Sequence, residues 1–217
     1  LADITKDKKL KERLLNFVVV GGGLSGVETA GELKEMIDKL LIYYKYIKKT
    51  EINFHIVELS KQLIPEFNKK MSSFIVNNFK KRGIIVHLNT KLKEVTSLKV
   101  YFSNKKTIYT NTVISTVGSS VSQLVKDSKL PQKFGRIETC NSMEVKGCKN
   151  VWAVGDCALV PYDPFDESKI SPPTAQFAVK QAKLLSKNIL LKTLNKKPKS
   201  FSYKSKGALA SLGSKTG

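Results

Sequence analysis

The stretch Val18–Leu33, VVVGGGLSGVETAGEL, decides the fold. With Asn16 and Phe17 before it, NFVVV is a short apolar run that ends in glycines. Such a run suits a strand buried on both faces, as in a parallel sheet. Gly21, Gly23 and Gly26 then spell G-x-G-x-x-G where that strand meets a helix expected from about Leu24. Gly21 permits the tight turn, Gly23 lets the backbone approach a pyrophosphate, and Gly26 lets the helix pack close to the strand. Gly22 lies between them in the same loop. The free N–H groups and positive dipole end of the helix are available to phosphates.

Outward from the glycines, INFHIVE (residues 52–58) reads as a second strand ending in Glu58. A carboxylate there can accept hydrogen bonds from ribose hydroxyls and repel a 2′-phosphate, which favours NAD(H) over NADP(H). The gap from glycines to acid exceeds the usual spacing. The sequence accounts for this by continuing the first helix through LLIYYKYIKKTE, with Ile37, Leu40, Leu41 and Tyr44 at helical spacing. Lys61, close by in sequence, argues the other way on cofactor choice. A helix from Lys69 to Lys81 is stopped by Gly83, and IIVHL (residues 84–88) is the third strand. KEVTSLKVYFSNKKTIYTNTVIST reads as three short strands with a polar turn at residues 103–106. The β-α-β-α-β order predicts a doubly wound parallel α/β sheet with a β-meander. Glu28 and Glu32 follow the third glycine. Glu32 is expected to be a favourable partner of the helix dipole, and for Glu28 a place beside a nicotinamide is the alternative.

A second block spans residues 118–217, after a charged lead-in (1–15) and the first block (16–117). NVWAV (residues 150–154) reads as another buried strand, ending in Gly155-Asp156. Past a Pro-rich acidic loop, Ser171 reads as an N-cap with Pro172 at the first helical position. Ala175, Ala178, Ala182, Leu185 and Ile189 form an apolar stripe on the helix that follows.

At 217 residues and 41% hydrophobic composition the chain can bury a core. No apolar run is long enough to cross a bilayer as a helix. The net charge is +20, yet Arg13, Arg82 and Arg136 are the only arginines, and the lysines are dispersed without interleaved aromatics. That pattern argues against a nucleic-acid surface. It leaves a solvated lysine-rich surface or attraction to an anionic membrane leaflet. Cys140, Cys148 and Cys157 form no C-x-x-C, so a disulfide framework, a zinc site and a dithiol motif are unsupported.

The segments GGGLSGVETAGEL, VELSKQLIPEFN, KRGIIVHLNTKLKEV, VISTVG, GRIETCNSMEVKGCKNVWAVGDCA, PPTAQFAVKQAKLLSKNIL and KGALASLG occur in the order found in type II NADH dehydrogenases. The chain resembles that family from about Asn16 to its end. The resemblance implies a flavoprotein that passes electrons from NADH through FAD to a membrane quinone. It would sit on the cytoplasmic face of a membrane, or in a mitochondrion in a eukaryote, against an anionic lipid surface, with a homodimer admitted. It places residues 16–117 as an NADH domain inserted in an FAD domain. Residues 118–217 are then the later part of that FAD domain, and residues 1–15 a lead-in from it. Gly155 and Asp156 match the family's second flavin motif, and Thr116 to Gly118 its crossover back to the FAD domain. Ala175 and Gln176 match the motif under the isoalloxazine ring, and Glu28 falls beside the nicotinamide. The family pairs that glutamine with a second one four residues on. Here that position is Lys180, a cation able to polarise a quinone oxygen, and a glutamine follows at Gln181. A second G-x-G-x-x-G and the family's C-terminal anchor are missing, so the chain reads as a fragment. The rival readings are a soluble flavin reductase with another acceptor and an NAD(H)-binding sensor without turnover.

Overall fold

A computed structural model describes residues 1–118 and 122–213; residues 119–121 and the last four of the expected tail lie outside the described residues. The contacts divide the chain into two units, Leu1–Gly118 with Ala208–Gly217, and Ser119–Gly207.

In the first unit the charged lead-in carries helix α1 (Lys8–Leu15), whose Asp7 side chain accepts from the amides of Lys9 and Leu10. Strand β1 (Asn16–Val20) runs into helix α2 (Leu24–Leu40). Strand β2 (Asn53–Val57), helix α3 (Lys69–Lys81) and strand β3 (Ile84–His87) complete the β-α-β-α-β run. Strands β4 (Leu92–Val95), β5 (Lys99–Phe102) and β6 (Thr107–Tyr109) form an antiparallel meander. Strand β7 (Thr112–Ser115) leaves the meander and joins the main sheet, whose order is β3-β2-β1-β7. All three pairings in that sheet are parallel. The segment read as three strands therefore holds four, the last of them parallel to β1.

The valines of β1 explain why it lies in the middle. Val19 packs with Val27, Ala30, Phe54, Ile56, Ile75 and Phe79 on the helix side. Val18 and Val20 point the other way, onto Val100 and Phe102 of the meander. The period of two along the strand thus serves two cores. The α-helical part of α2 ends at Leu40 rather than running on through the aromatic segment. A 3₁₀ turn, Leu41–Tyr43, replaces it, and Leu40 and Tyr44 are exposed. Adjacent Ile42, Tyr43 and Tyr44 are weak helix formers and are exposed.

In the second unit, helix α4 (Gln123–Asp127) precedes strands β8 (Gln132–Lys133), β9 (Arg136–Glu138) and β10 (Ala158–Leu159), which form one small sheet. Strands β11 (Pro161–Asp163) and β12 (Asp166–Ile170) make a hairpin ahead of helix α5 (Ala175–Thr193). Three expectations change. NVWAV is not a regular strand: Trp152 makes one isolated bridge to Glu144, and Val151 is exposed. Helix α5 starts at Ala175 with Thr174 as N-cap, not at Pro172. Pro173 is the cause, because a residue preceding proline is disfavoured in the α region. Ser171 is buried instead, its amide bonded to the carbonyl of Val160. The buried residues of α5 are Phe177, Gln181 and Asn188, with Leu184 and Leu185 packed beside them; of the apolar stripe, Leu185 joins this face and Ala175, Ala182 and Ile189 are exposed. Among the described residues no helix is long and apolar enough to cross a membrane.

His55 and His87 lie on neighbouring strands under the meander, with His55 Nδ1 3.0 Å from His87 Nε2 and His87 stacked on Phe102. Burial, aided by the charge of His87, pushes His55 from 6.5 down to about 4. Burial and the Lys106 charge also lower His87. Both rings are neutral in the fold, so the unfolded chain takes up protons that the folded one refuses. Stability should be full above about pH 6.5 and fall as the pH drops towards 4. The His55 share of that loss is on the order of 3 kcal/mol. Urea midpoints measured across this range should slope downward with acid, and His55→Gln should flatten the slope.

Candidate functional site

The glycine loop is tied down on every side except one. The amide of Gly21 donates to the carbonyl of Val57 at 2.8 Å, and the amide of Ile64 donates to the carbonyl of Gly22 at 2.7 Å. Just past β7, Thr116 Oγ1 donates to the carbonyls of Val20 at 3.0 Å and Gly21 at 3.2 Å. Gly26 is pressed so close to the Gly21 carbonyl that a Cβ there would collide with backbone. Gly23 is the exception: a Cβ on it would meet nothing within 4 Å. It is also the N-cap of α2 and offers no side-chain cap, so the first amides of the helix stay available.

Glu58 follows β2 and turns both carboxylate oxygens onto backbone. Oε2 accepts from the amide of Gly22 at 2.6 Å and Oε1 from the amide of Ser60 at 2.6 Å. A carboxylate has about four lone-pair sites, so each oxygen keeps one for a further donor. A cleft of about 510 Å³ opens beside these groups, lined by Gly21, Gly23, Glu58, Lys91, Thr116 and Gly118 among others. Lys91, just past β3, is the lysine of this cleft, and the exposed Lys61 does not line it. Nothing in the sequence pattern singled out Lys91 or the anchoring role of Thr116.

Glu28 and Glu32 do not line the cleft. Glu28 Oε1 accepts from the amide of Ser211 at 3.1 Å, and Glu32 Oε1 accepts from Ser211 Oγ at 2.8 Å. Glu32 lies in the third turn of α2, beyond the reach of the N-terminal dipole, so its expected dipole role gives way to this contact. The segment it holds, residues 208–213, belongs to the first unit. Arg82 fastens it further, donating from Nη1 to the carbonyl of Leu212 and from Nη2 to the carbonyl of Gly31 at 2.6 Å. Leu212 is buried in the same core as Val19 and Phe54.

In the second unit Gly155 has φ +72°, and with Asp156 and Cys157 it forms a single 3₁₀ turn. The Asp156 carboxylate is exposed and accepts no hydrogen bond among the described residues. The buried Gln181 accepts from the amide of Gly155, and Arg136 donates to the carbonyl of Asp156. Burial lowers the Arg136 guanidinium from its ordinary value, with the Asp156 charge opposing. Ala175 and Gln176 open α5. Gln176 Oε1 accepts from Tyr203 Oη at 2.8 Å and the Lys206 amide at 3.0 Å. The Lys180 ammonium lies 5.9 Å from the centre of the Tyr203 ring. All three cysteines are free, and among the described residues no His, Cys, Asp and Glu side chains gather to hold a metal.

A family model described as pyridine nucleotide-disulphide oxidoreductase matches residues 1–182. A probable NADH dehydrogenase of Dictyostelium discoideum is 33% identical over 221 residues, which cover 100% of this chain and 47% of the relative. A type II NADH:quinone oxidoreductase of Haemophilus influenzae is 31% identical, over 95% of this chain and 47% of its own length. The chain thus spans about half the length of these relatives. Among solved structures, the NDH2 of Plasmodium falciparum in complex with NADH shares the fold at a TM-score of 0.82 and 22% identity, over 99% of this chain and 58% of that one.

Arg82 should be the fastening on which residues 208–213 depend. Arg82→Ala leaves two carbonyls without a charged donor and should cost the first unit roughly 1.5–3 kcal/mol in urea unfolding. Arg82→Lys, which cannot fork onto both carbonyls, should fall between the variant and the parent.

Proposed function

The chain belongs to the pyridine nucleotide-disulphide oxidoreductase family, and from that membership we propose that its first unit binds NADH and its second unit is part of a flavin site. The whole protein is then an NADH:quinone oxidoreductase. The carrying observation is Glu58, held by the amides of Gly22 and Ser60 at the mouth of the glycine loop with acceptor capacity to spare. The adenosine ribose hydroxyls fit those remaining lone pairs. A pyrophosphate fits the open space above Gly23, where the uncapped amides of α2 point. Likeness to relatives named as NADH dehydrogenase and NADH:quinone oxidoreductase supports the same reading.

For the flavin, the residues present fit one part. Gly155 brings backbone close without a Cβ, and the exposed Asp156 carboxylate offers an acceptor to ribityl hydroxyls. When bound, FAD supplies the hydride and electron chemistry between nicotinamide and quinone. The protein's part is orientation and charge. Ala175 and Gln176 lie at the amino end of α5, whose dipole favours negative charge nearby. Gln176 spends its carbonyl oxygen on the 203–206 segment, which fixes its rotamer. Lys180 is exposed beside Tyr203 and supplies a cation for a quinone oxygen. Glu28 lies outside the cleft beside the glycine loop with Oε1 on the Ser211 amide, and its place beside the nicotinamide rests on the family resemblance. Within these 217 residues the cysteines form no C-x-x-C, so no dithiol in this part supports a disulfide acceptor. The charge of +20 supports peripheral attachment to an anionic leaflet, with residues 16–117 as the inserted NADH domain.

Glu58→Gln should narrow the preference for NADH over NADPH. Removing a charge repulsion and a charge-assisted bond is worth roughly 1.5–3 kcal/mol, or about ten- to hundredfold in relative affinity. Equal binding of NADH and NADPH by the parent protein would remove Glu58 from its assigned role. In the whole protein, Lys180→Ala should raise KM for quinone several-fold, by roughly 1 kcal/mol, and leave KM for NADH unchanged.

A further inference from the structure

Two polar side chains of the second unit commit their hydrogen bonds to one short stretch of backbone. Gln181 is 1% exposed, and its Oε1 accepts from the amide of Gly155 at 2.7 Å. Arg136 donates from Nε to the carbonyl of Asp156 at 3.0 Å, and from Nη2 to the carbonyls of Ala158 at 2.5 Å and Ser171 at 3.3 Å. Gln181 comes from α5 and Arg136 from β9, so the turn Gly155–Cys157 is gripped from two separate elements. A buried amide N–H needs an acceptor, and Gln181 is the one that Gly155 has. With the Gly155 amide and the Asp156 carbonyl both engaged, the Asp156 carboxylate remains exposed and without a hydrogen bond among the described residues.

We propose that Gln181 and Arg136 are positioning residues for the flavin: together they lock the Gly155-Asp156 turn so that the Asp156 carboxylate is held ready for the hydroxyls of the cofactor's ribityl–pyrophosphate chain. This rests on the flavin reading given above. It also gives Gln181 a role inside the unit. Its amide oxygen is spent on backbone inside the unit, so the glutamine one place beyond Lys180 is not a second quinone contact. Lys180, its neighbour in sequence, is exposed beside Tyr203.

The test has a part without flavin and a part with it. On the 217-residue chain, amide hydrogen exchange read by NMR should show Gly155 protected. Gln181→Leu should raise its exchange rate roughly tenfold or more, and Gln181→Glu, which keeps an oxygen acceptor, should retain most of the protection. In the whole protein, FAD affinity should fall roughly tenfold in Gln181→Leu and Arg136→Ala, and Arg136→Lys should recover part of it. The urea midpoint of the second unit, which contains both residues, reports whether each variant is folded. Asp156→Asn separates the two ideas. If it weakens FAD while Gln181→Leu and Arg136→Ala do not, the flavin reading stands and the positioning proposal is overturned. If Gly155 exchanges as fast in the parent as in Gln181→Leu, the grip itself is absent and the proposal falls without reference to flavin. If Asp156→Asn leaves FAD affinity unchanged, the flavin reading fails at this turn, and the proposal falls with it.

Discussion

Helix α2 begins where it does because no Cβ stands between Gly26 and the carbonyl of Gly21. That approach brings the amino end of the helix against the end of β1, and the cleft beside the loop follows from it. Any side chain at position 26 would drive the helix away from the sheet. Thr116 would then lose its two carbonyls, and the core that joins Val19 to Val27 and Ala30 would open. Gly23 shows the complementary condition: its missing Cβ leaves room on the outside rather than relieving pressure within.

Both units use the same device around their backbone turns. A side chain from elsewhere in the fold supplies the bonds that regular secondary structure does not. Glu58 does so for the amides of Gly22 and Ser60, Arg82 for the carbonyls of Gly31 and Leu212, and Gln181 and Arg136 for the turn at Gly155. Charged or amide groups with firm backbone partners hold loops in one conformation, whereas apolar packing alone leaves neighbouring conformations close in energy. Each of these side chains therefore fixes the geometry of a backbone segment as well as adding to stability.

Much of the first unit was legible in the sequence. Strand β1, the G-x-G-x-x-G loop, β2 and α3 announce themselves through a valine run, spaced glycines and a helix stopped by Gly83. What stayed hidden was long-range or polar. Nothing local tells that residues 208–213 dock on α2, because their partners Glu28, Glu32 and Arg82 lie well over a hundred residues away. The buried face of α5 was legible only at Leu185, because hydrophobic periodicity ignores Gln181 and Asn188. Asn188 is buried since it bonds to the backbone of Ser142 and Lys199. Pro172 looked like a helix start until its successor, Pro173, is taken into account. NVWAV illustrates the ambiguity of short apolar runs, which have the composition of a strand whether or not a neighbour pairs with them.

The central claim is that the cleft between the glycine loop and Glu58 takes a reduced nicotinamide dinucleotide. The most direct measurement is a titration of the isotopically labelled chain with NADH, followed by amide chemical shifts. The account predicts that the largest changes fall on residues 21–27, on Glu58 and Ser60, and on the cleft residues Lys91, Thr116 and Gly118, while α5 is unaffected. Saturating NADH that leaves the amides of Gly22, Gly23 and Ser60 unmoved, or that shifts the second unit instead, would contradict it.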